Sequence, residues 1–179
     1  MSEIETLASE VVYTNRWMTV REDRVRRSTG SEGIYGVVEK QDFVAILPID
    51  DGVIHLVEQY RYPVKQRYWE IPQGSWESDP EADPGKVALG ELREETGLLA
   101  NSMTYIGHTF QAYGYSNQGC HIYLASDFNT SVQDLDEEEQ GLITQGVALA
   151  EFESMIIDGV IKDVTTINAY GLAKLKALI

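Results

Sequence analysis

Polar and apolar residues alternate through the first forty positions, in VVYT, in WMTVREDRVRR and, after a turn at STGSEG, in IYGVVEK. Period-two alternation broken by a glycine-bearing turn predicts a small antiparallel sheet, taken here as residues 1–41. FVAILPID and VIHLVEQYRYPV are more evenly apolar and meet at Asp51-Gly52, a strong hairpin signal, so the main sheet of a second unit, 42–179, is expected to begin there. A short strand is expected over Tyr68 to Pro72, then the loop GSWESDPEADPG. A helix should follow from about Pro84 to Thr96, with Asp83 as N-cap, Pro84 in the first turn and Gly97 as the left-handed residue that ends it. MTYIGHTFQAY and GCHIYLASDF read as two further strands. The tail predicts helices over Leu149 to Asp158 and Val164 to Leu178, the second with Ile167, Leu172 and Leu175 as its apolar stripe. Strands and helices mix without the regular alternation of a doubly wound fold, which points to an α/β chain of the α+β kind.

Composition narrows the choice of partner. At 179 residues and 43% hydrophobic content the chain can fill a core of its own. A formal net charge of −15 argues against long nucleic acids, whose binding draws on clustered Lys and Arg. A phosphate substrate stays compatible with that charge if a divalent cation mediates between the two acidic partners. No apolar stretch approaches the roughly 20 residues of a membrane span, and the opening MSEIETLASE has no apolar core, so a cytoplasmic protein is expected. The single cysteine, Cys120, excludes an internal disulfide and reads as a small apolar residue within a strand. His55, His108 and His121 lie apart in strand-like runs without zinc spacing and read as ordinary strand residues.

The segment GELREETGL carries the chemistry. On a helix, Glu91, Glu94 and Glu95 share a face at spacings i, i+3 and i+4, while Leu89, Leu92 and Thr96 point to another side. Like charges at these spacings cost about 0.2–0.5 kcal/mol per pair; taken alone the triad reads as a solvated acidic helix face, and the other reading is a ligand set for a hard ion such as Mg²⁺, which takes carboxylate and phosphate oxygens.

WEIPQGSWESDPEADPGKVALGELREETGL resembles a Nudix box, with Gly74 at its opening and Glu91, Leu92, Glu94, Glu95, Gly97 and Leu98 in its second half. The likeness extends through VEQYRYPV, the N-terminal strands and a later acidic run, and over most of the chain it is to ADP-ribose and nucleoside diphosphate sugar pyrophosphatases. Two departures stand out. Gly90 occupies the place of the family's arginine, which helps orient the glutamates. Gly74 to Gly90 also spans two residues more than the pattern, so the first-half glutamate falls on Pro80, with Glu77 or Glu81 as substitutes for its structural role. Arg93 points roughly opposite the carboxylates and does not replace the arginine by helical rotation.

The resemblance implies a Nudix-type α/β/α sandwich with a mixed sheet and a small N-terminal antiparallel sheet. It implies Mg²⁺, with Mn²⁺ as a substitute, held by Glu91, Glu95 and the carbonyl of Gln73, with Glu94 contributing or holding a second ion. The run Asp134 to Glu139, by itself a solvated acidic loop, is where the resemblance places the general base, Glu137 first and Glu139 second. Arg61 is a phosphate contact or, in the plain reading, one half of a surface salt bridge. Trp17 and Tyr35 are stacking residues for the base or else core and interface aromatics. Arg16, Arg21, Arg24, Arg26 and Arg27 cluster unevenly, as edge-strand protection or as a binding feature. The expected reaction is hydrolysis of ADP-ribose or a nucleoside diphosphate sugar to a nucleoside monophosphate and a sugar phosphate, by a homodimer. The alternatives are a nucleotide-sugar binding module that does not cut, and a hydrolase of dinucleoside polyphosphates or capped RNA ends.

Overall fold

The computed structural model describes residues 3–76, 79 and 81–179. The first strand, β1 (Ile4–Thr14), pairs with β2 (Thr19–Arg27), which pairs with β3 (Glu32–Glu39), all antiparallel. The acidic opening is thus strand from Ile4 onward, its alternation hidden because β1 is exposed along nearly its whole length.

The main sheet has seven strands. β4 (Phe43–Asp50) and β5 (Val53–Arg61) form the expected hairpin, with Asp51 at φ 46° and Gly52 at φ 75°, both in the left-handed region that suits the twist of paired strands. β6 (Gln66–Glu70) pairs with β5, and the two-residue β7 (Gln73–Gly74) pairs with β4. β8 (Leu98–Phe110) and β9 (Gly119–Thr130) form a long antiparallel pair, β9 lies parallel to β4, and β10 (Ile143–Ala148) closes the edge beside β5. That parallel pair makes the sheet mixed. β10 escaped the sequence reading, because in ITQGVA only Val147 is buried.

Alternation along β4 builds the layers. Val44 and Ile46 face α1 (Pro84–Thr96), packing with Val87, Ala88, Leu92 and Ala125. Ala45, Leu47 and Ile49 face the other way, onto Phe152 of α2 (Leu149–Ile157) and Ala169, Tyr170 and Ala173 of α3 (Val164–Leu175). The result is a three-layer α/β/α sandwich. The inner face of α3 differs from the expected stripe: Leu175 is 86% and Ile167 39% exposed, and only Leu172 of the three packs against the core. Thr166, Ala169, Tyr170 and Ala173 recur at i, i+3, i+4 and i+7, and these mostly small residues bring the helix close to the sheet. Cys120 is buried, and burial pushes its thiol up to about 12, as befits a packing residue. Among the described residues no helix is long and apolar enough to cross a membrane.

Candidate active site

Helix α1 is set by its ends. The Asp83 side chain accepts from Lys86 N at 3.1 Å, Pro84 needs no donor in the first turn, and Gly97 at φ 72° returns its N–H to Arg93 O at 2.8 Å. With Val87, Ala88 and Leu92 directed into the core, Glu91 and Glu95 fall beside the β7 turn, at 6% and 1% exposure. Gly74 makes that approach feasible, because a Cβ there would overlap the Glu91 carboxylate. The backbone N–H of Gln73 donates to Glu95 Oε2 at 3.3 Å, so the turn holds a helix carboxylate through its amide.

The acidic run reaches the same place through the end of α1. Ser131 N bonds Gly97 O at 2.6 Å, Asp134 N bonds Glu94 O at 3.0 Å, and Gln133 Nε2 donates to Glu95 O at 2.5 Å. The chain then makes one 3₁₀ turn, Glu137–Glu139, in which Glu139 caps Asp136 N at 3.1 Å. This delivers Glu139 to the helix carboxylates: ligand oxygens of Glu91, Glu95 and Glu139 all lie within 4.8 Å of one another. Burial, followed by the charges of Glu91, Glu139 and Glu70, raises the Glu95 carboxyl well above the ordinary glutamate range. Glu139 is raised too, chiefly by burial. Glu91 and Glu95, both buried, form a donor pair that suits a hard divalent cation, with the Glu139 carboxylate beside them. Glu94 borders the same cleft but pairs with Arg93 at 3.2 Å, and Glu137 lines it from the exposed side of the 3₁₀ turn.

One cation faces these acids from β5. Arg61 forms a forked ion pair with Glu70, Nε to Oε2 at 3.2 Å and a terminal nitrogen to Oε1 at 2.6 Å, and still lines the cleft. The salt bridge and the cleft position thus coexist, since the partner is a buried carboxylate on β6 that fixes the guanidinium in place. Glu70 was missed in the sequence, as were Asp163, within 3.5 Å of Gln73 Nε2, and Trp76. No local spacing marks them; they meet only through strand pairing and the packing of α3.

Trp76 accounts for Gly90. A Cβ on Gly90 would collide with the indole, so the ring occupies the space above that helical position where a larger side chain would begin. Arg93 pairs with Glu94 and Asp134, away from Glu91 and Glu95. Glu81 is exposed in the turn before α1, while Glu77 and Pro80 lie outside the described residues.

Two hollows adjoin the cleft. One holds Trp17, with the Arg16 guanidinium 4.2 Å from its ring centroid, and shares Arg16 and Ser75 with the cleft. The other, lined by Tyr68 and Lys162, shares Arg61 and Gln73 with it. Tyr35 is in neither: it sits apart, its hydroxyl donating to Gly114 O at 2.9 Å. Arg16 also pairs with Glu138, tying the N-terminal sheet to the acidic turn. Arg21 and Arg26 are taken up by Asp23, Glu39, Glu5 and Glu32 within that sheet.

Residues 39–162 match the family described as NUDIX domain, and residues 4–38 match the nucleoside diphosphate sugar hydrolase N-terminal domain. An ADP-ribose pyrophosphatase of Mycobacterium tuberculosis is 33% identical over 159 residues, covering 88% of this chain and 76% of that protein. An ADP-ribose pyrophosphatase of Bacillus subtilis is 31% identical over 140 residues, covering 76% and 75%. A solved structure described as an ADP compounds hydrolase shares the fold, with a TM-score of 0.85 at 23% identity, over 97% of this chain and 94% of its own. A glutamate-bearing helix packed against a glycine turn, in a chain whose larger part matches the NUDIX domain, has one assignment: this chain belongs to the Nudix family.

Proposed function

We propose that this protein is a Nudix pyrophosphohydrolase that cuts the diphosphate of ADP-ribose or a related nucleoside diphosphate sugar, releasing a nucleoside monophosphate and a sugar phosphate. The observation that carries this reading is the convergence of Glu91, Glu95 and Glu139 in one cleft with Arg61, whose guanidinium is held by Glu70, a setting that suits a metal-bound diphosphate. The two ADP-ribose pyrophosphatases among the relatives support the substrate class.

Glu91 and Glu95 would hold the metal, Mg²⁺ first and Mn²⁺ second, with Glu94 at the rim for a further ion and the Gln73 carbonyl as an added donor. When bound, the ion neutralises the diphosphate and lowers the pKa of water. Arg61, oriented by Glu70, grips phosphate oxygens. The geometry favours Glu139 over Glu137 as the proton acceptor, reversing the order read from the sequence: Glu139 is anchored by its cap to Asp136 beside the helix carboxylates and raised by burial, while Glu137 is exposed. Trp17 gives the base a stacking surface next to Arg16, and the hollow at Tyr68 suits the opposite end of the substrate. Tyr35 lines neither the cleft nor either hollow, so within one chain it is not a stacking residue for the base.

The unit 1–41 acts as an arm on the catalytic unit 42–179. Val11, Val12, Tyr13 and Ile34 stand 54–63% exposed on it, which supports a homodimer built through this sheet. A buried cysteine without a disulfide partner suits the cytoplasm. Incubation with Mg²⁺ and a panel of nucleoside diphosphate derivatives, followed by product chromatography, tests the whole reading. ADP-ribose should yield AMP and ribose 5-phosphate, and Glu95→Gln should keep its fold while losing nearly all turnover. Tight binding with no product over hours would instead make the chain a sensor.

A further inference from the structure

Away from the carboxylate cleft, two histidines that the sequence sets thirteen residues apart are brought face to face. His108 of β8 and His121 of β9 are direct cross-strand partners, with ring centroids 4.7 Å apart. Asp42, the last residue before β4, completes the group: its Oδ2 lies 2.9 Å from His108 Nε2 and 3.6 Å from His121 Nε2. One ligand atom from each residue falls within 4.8 Å of the others. None of the three belongs to the Glu91, Glu95 and Glu139 set.

Three further features aim these atoms at a common point. Asp42 Oδ1 is held by Gly119 N at 2.7 Å, which turns Oδ2 toward the imidazoles. The Tyr105 hydroxyl lies 3.5 Å from His121 Nδ1; in the tautomer whose Nδ1–H donates to it, Nε2 keeps its lone pair free, as a metal requires. Gly119 keeps the space open, because a Cβ there would fall against His108 Nε2 and Asp42 Oδ2. Side-chain exposures of 30%, 26% and 42% for His108, His121 and Asp42 leave an entry path and room for water as a fourth ligand.

We propose that Asp42, His108 and His121 bind a first-row transition ion of the Zn²⁺ type, at a site distinct from the catalytic carboxylates. Tetrahedral zinc with bonds of about 2.0 Å needs ligand atoms roughly 3.3 Å apart, near the two measured Asp42 separations. Two imidazoles and one carboxylate favour Zn²⁺, Co²⁺ or Ni²⁺ over Mg²⁺, which prefers oxygen alone. The bound ion fastens the segment between the two sheets. Asp42 follows β3 closely, and the intervening Lys40 and Gln41 are already bonded to Asn117 and Gln118 of the turn between β8 and β9.

The test is metal uptake by the full chain, with excess Mg²⁺ present to occupy the carboxylate cleft. Dialysis against Zn²⁺ should leave one ion per chain, and Co²⁺ should give a visible absorption band of low-coordinate, nitrogen-ligated metal. His108→Ala and His121→Ala should each weaken uptake at least 100-fold and abolish the band, while Tyr105→Phe weakens it about 10-fold. Glu95→Gln should leave it unchanged, which separates this site from the catalytic one. Circular dichroism checks that each variant folds, and Gly119→Ala, which fills the site without removing a ligand, provides an independent loss. Zinc uptake equal in the wild type and both histidine variants, uptake lost in Glu95→Gln instead, or no retained zinc at all would each overturn the proposal.

Discussion

At the level of single residues, the position most altered from the family pattern is also the one the structure accounts for best. Gly90 is small because Trp76 lies on it. Restoring the family residue with Gly90→Arg should therefore destabilise the chain by about 1–3 kcal/mol, as overpacking does, although arginine is the better helix former. Pairing it with Trp76→Ala should recover much of the loss in urea unfolding, and additive losses would show that the two side chains do not compete for one space. Glu95 gives a second, signed expectation. Its folded-state pKa stands well above the ordinary value of 4.5, so its contribution to stability is full below that value and is lost as pH rises through the raised folded pKa. Without divalent ions, the melting-temperature advantage of Glu95→Gln should be absent at low pH and grow toward neutrality. Mg²⁺ should raise the wild-type melting temperature more at pH 7.5 than at pH 5. A pH-independent difference between the two proteins would contradict the assignment of burial and like charge as the cause.

Among the elements, those defined by local pattern were legible and those defined by distant partners were not. Helix α1 could be read with both ends, because Asp83, Pro84 and Gly97 act within a turn of where they stand. The faces of Glu91 and Glu95 followed from its periodicity. Glu139 could not be placed within its acidic run, since its position depends on bonds from Ser131, Gln133 and Asp134 to the end of α1 rather than on spacing. Glu70, which holds Arg61, and the His108–His121 pair lie on strands whose register no short window reveals. Helix α3 misled because the larger residues of its sequence are not the ones that pack. Its N-cap is Asp163, which accepts from Thr166 N at 2.8 Å and from the Thr166 hydroxyl at 2.7 Å, while the same hydroxyl accepts from Ile71 N at 3.0 Å. Asp163→Ala should cost about 1–2 kcal/mol of unfolding free energy as a lost cap. It should also lower turnover by loosening the Gln73 turn, whereas Asp83→Ala should cost a similar stability with less effect on rate. Equal rate losses in the two variants would detach α3 from the site.

Across the whole molecule, the charge of −15 surrounds a site that needs cations. Attraction of Mg²⁺ by that field is screened within about 10 Å at 0.1 M salt. The apparent affinity for Mg²⁺ should therefore weaken as KCl is raised, and a salt-independent titration would mean that only the buried carboxylates matter. The same acidity leaves little scope for a polyanion, in keeping with a small diphosphate substrate. The Arg16–Glu138 pair spans the N-terminal sheet and the acidic turn, but its members are 65% and 59% exposed. Arg16→Ala should thus leave unfolding free energy within about 1 kcal/mol of the parent, and any larger effect should appear in KM.

Glu138 and Glu139 are neighbours in a single 3₁₀ turn, the first gripping Arg16 beside the Trp17 hollow and the second meeting the helix carboxylates. A nucleoside that settled on Trp17, as proposed, and drew Arg16 toward its own phosphate would compete with Glu138 for that guanidinium, one peptide away from Glu139. Recognition at the far end of the ligand and readiness of Glu139 in its proposed role would then share a lever, so a fragment lacking the base would be cut slowly even when its phosphates fit.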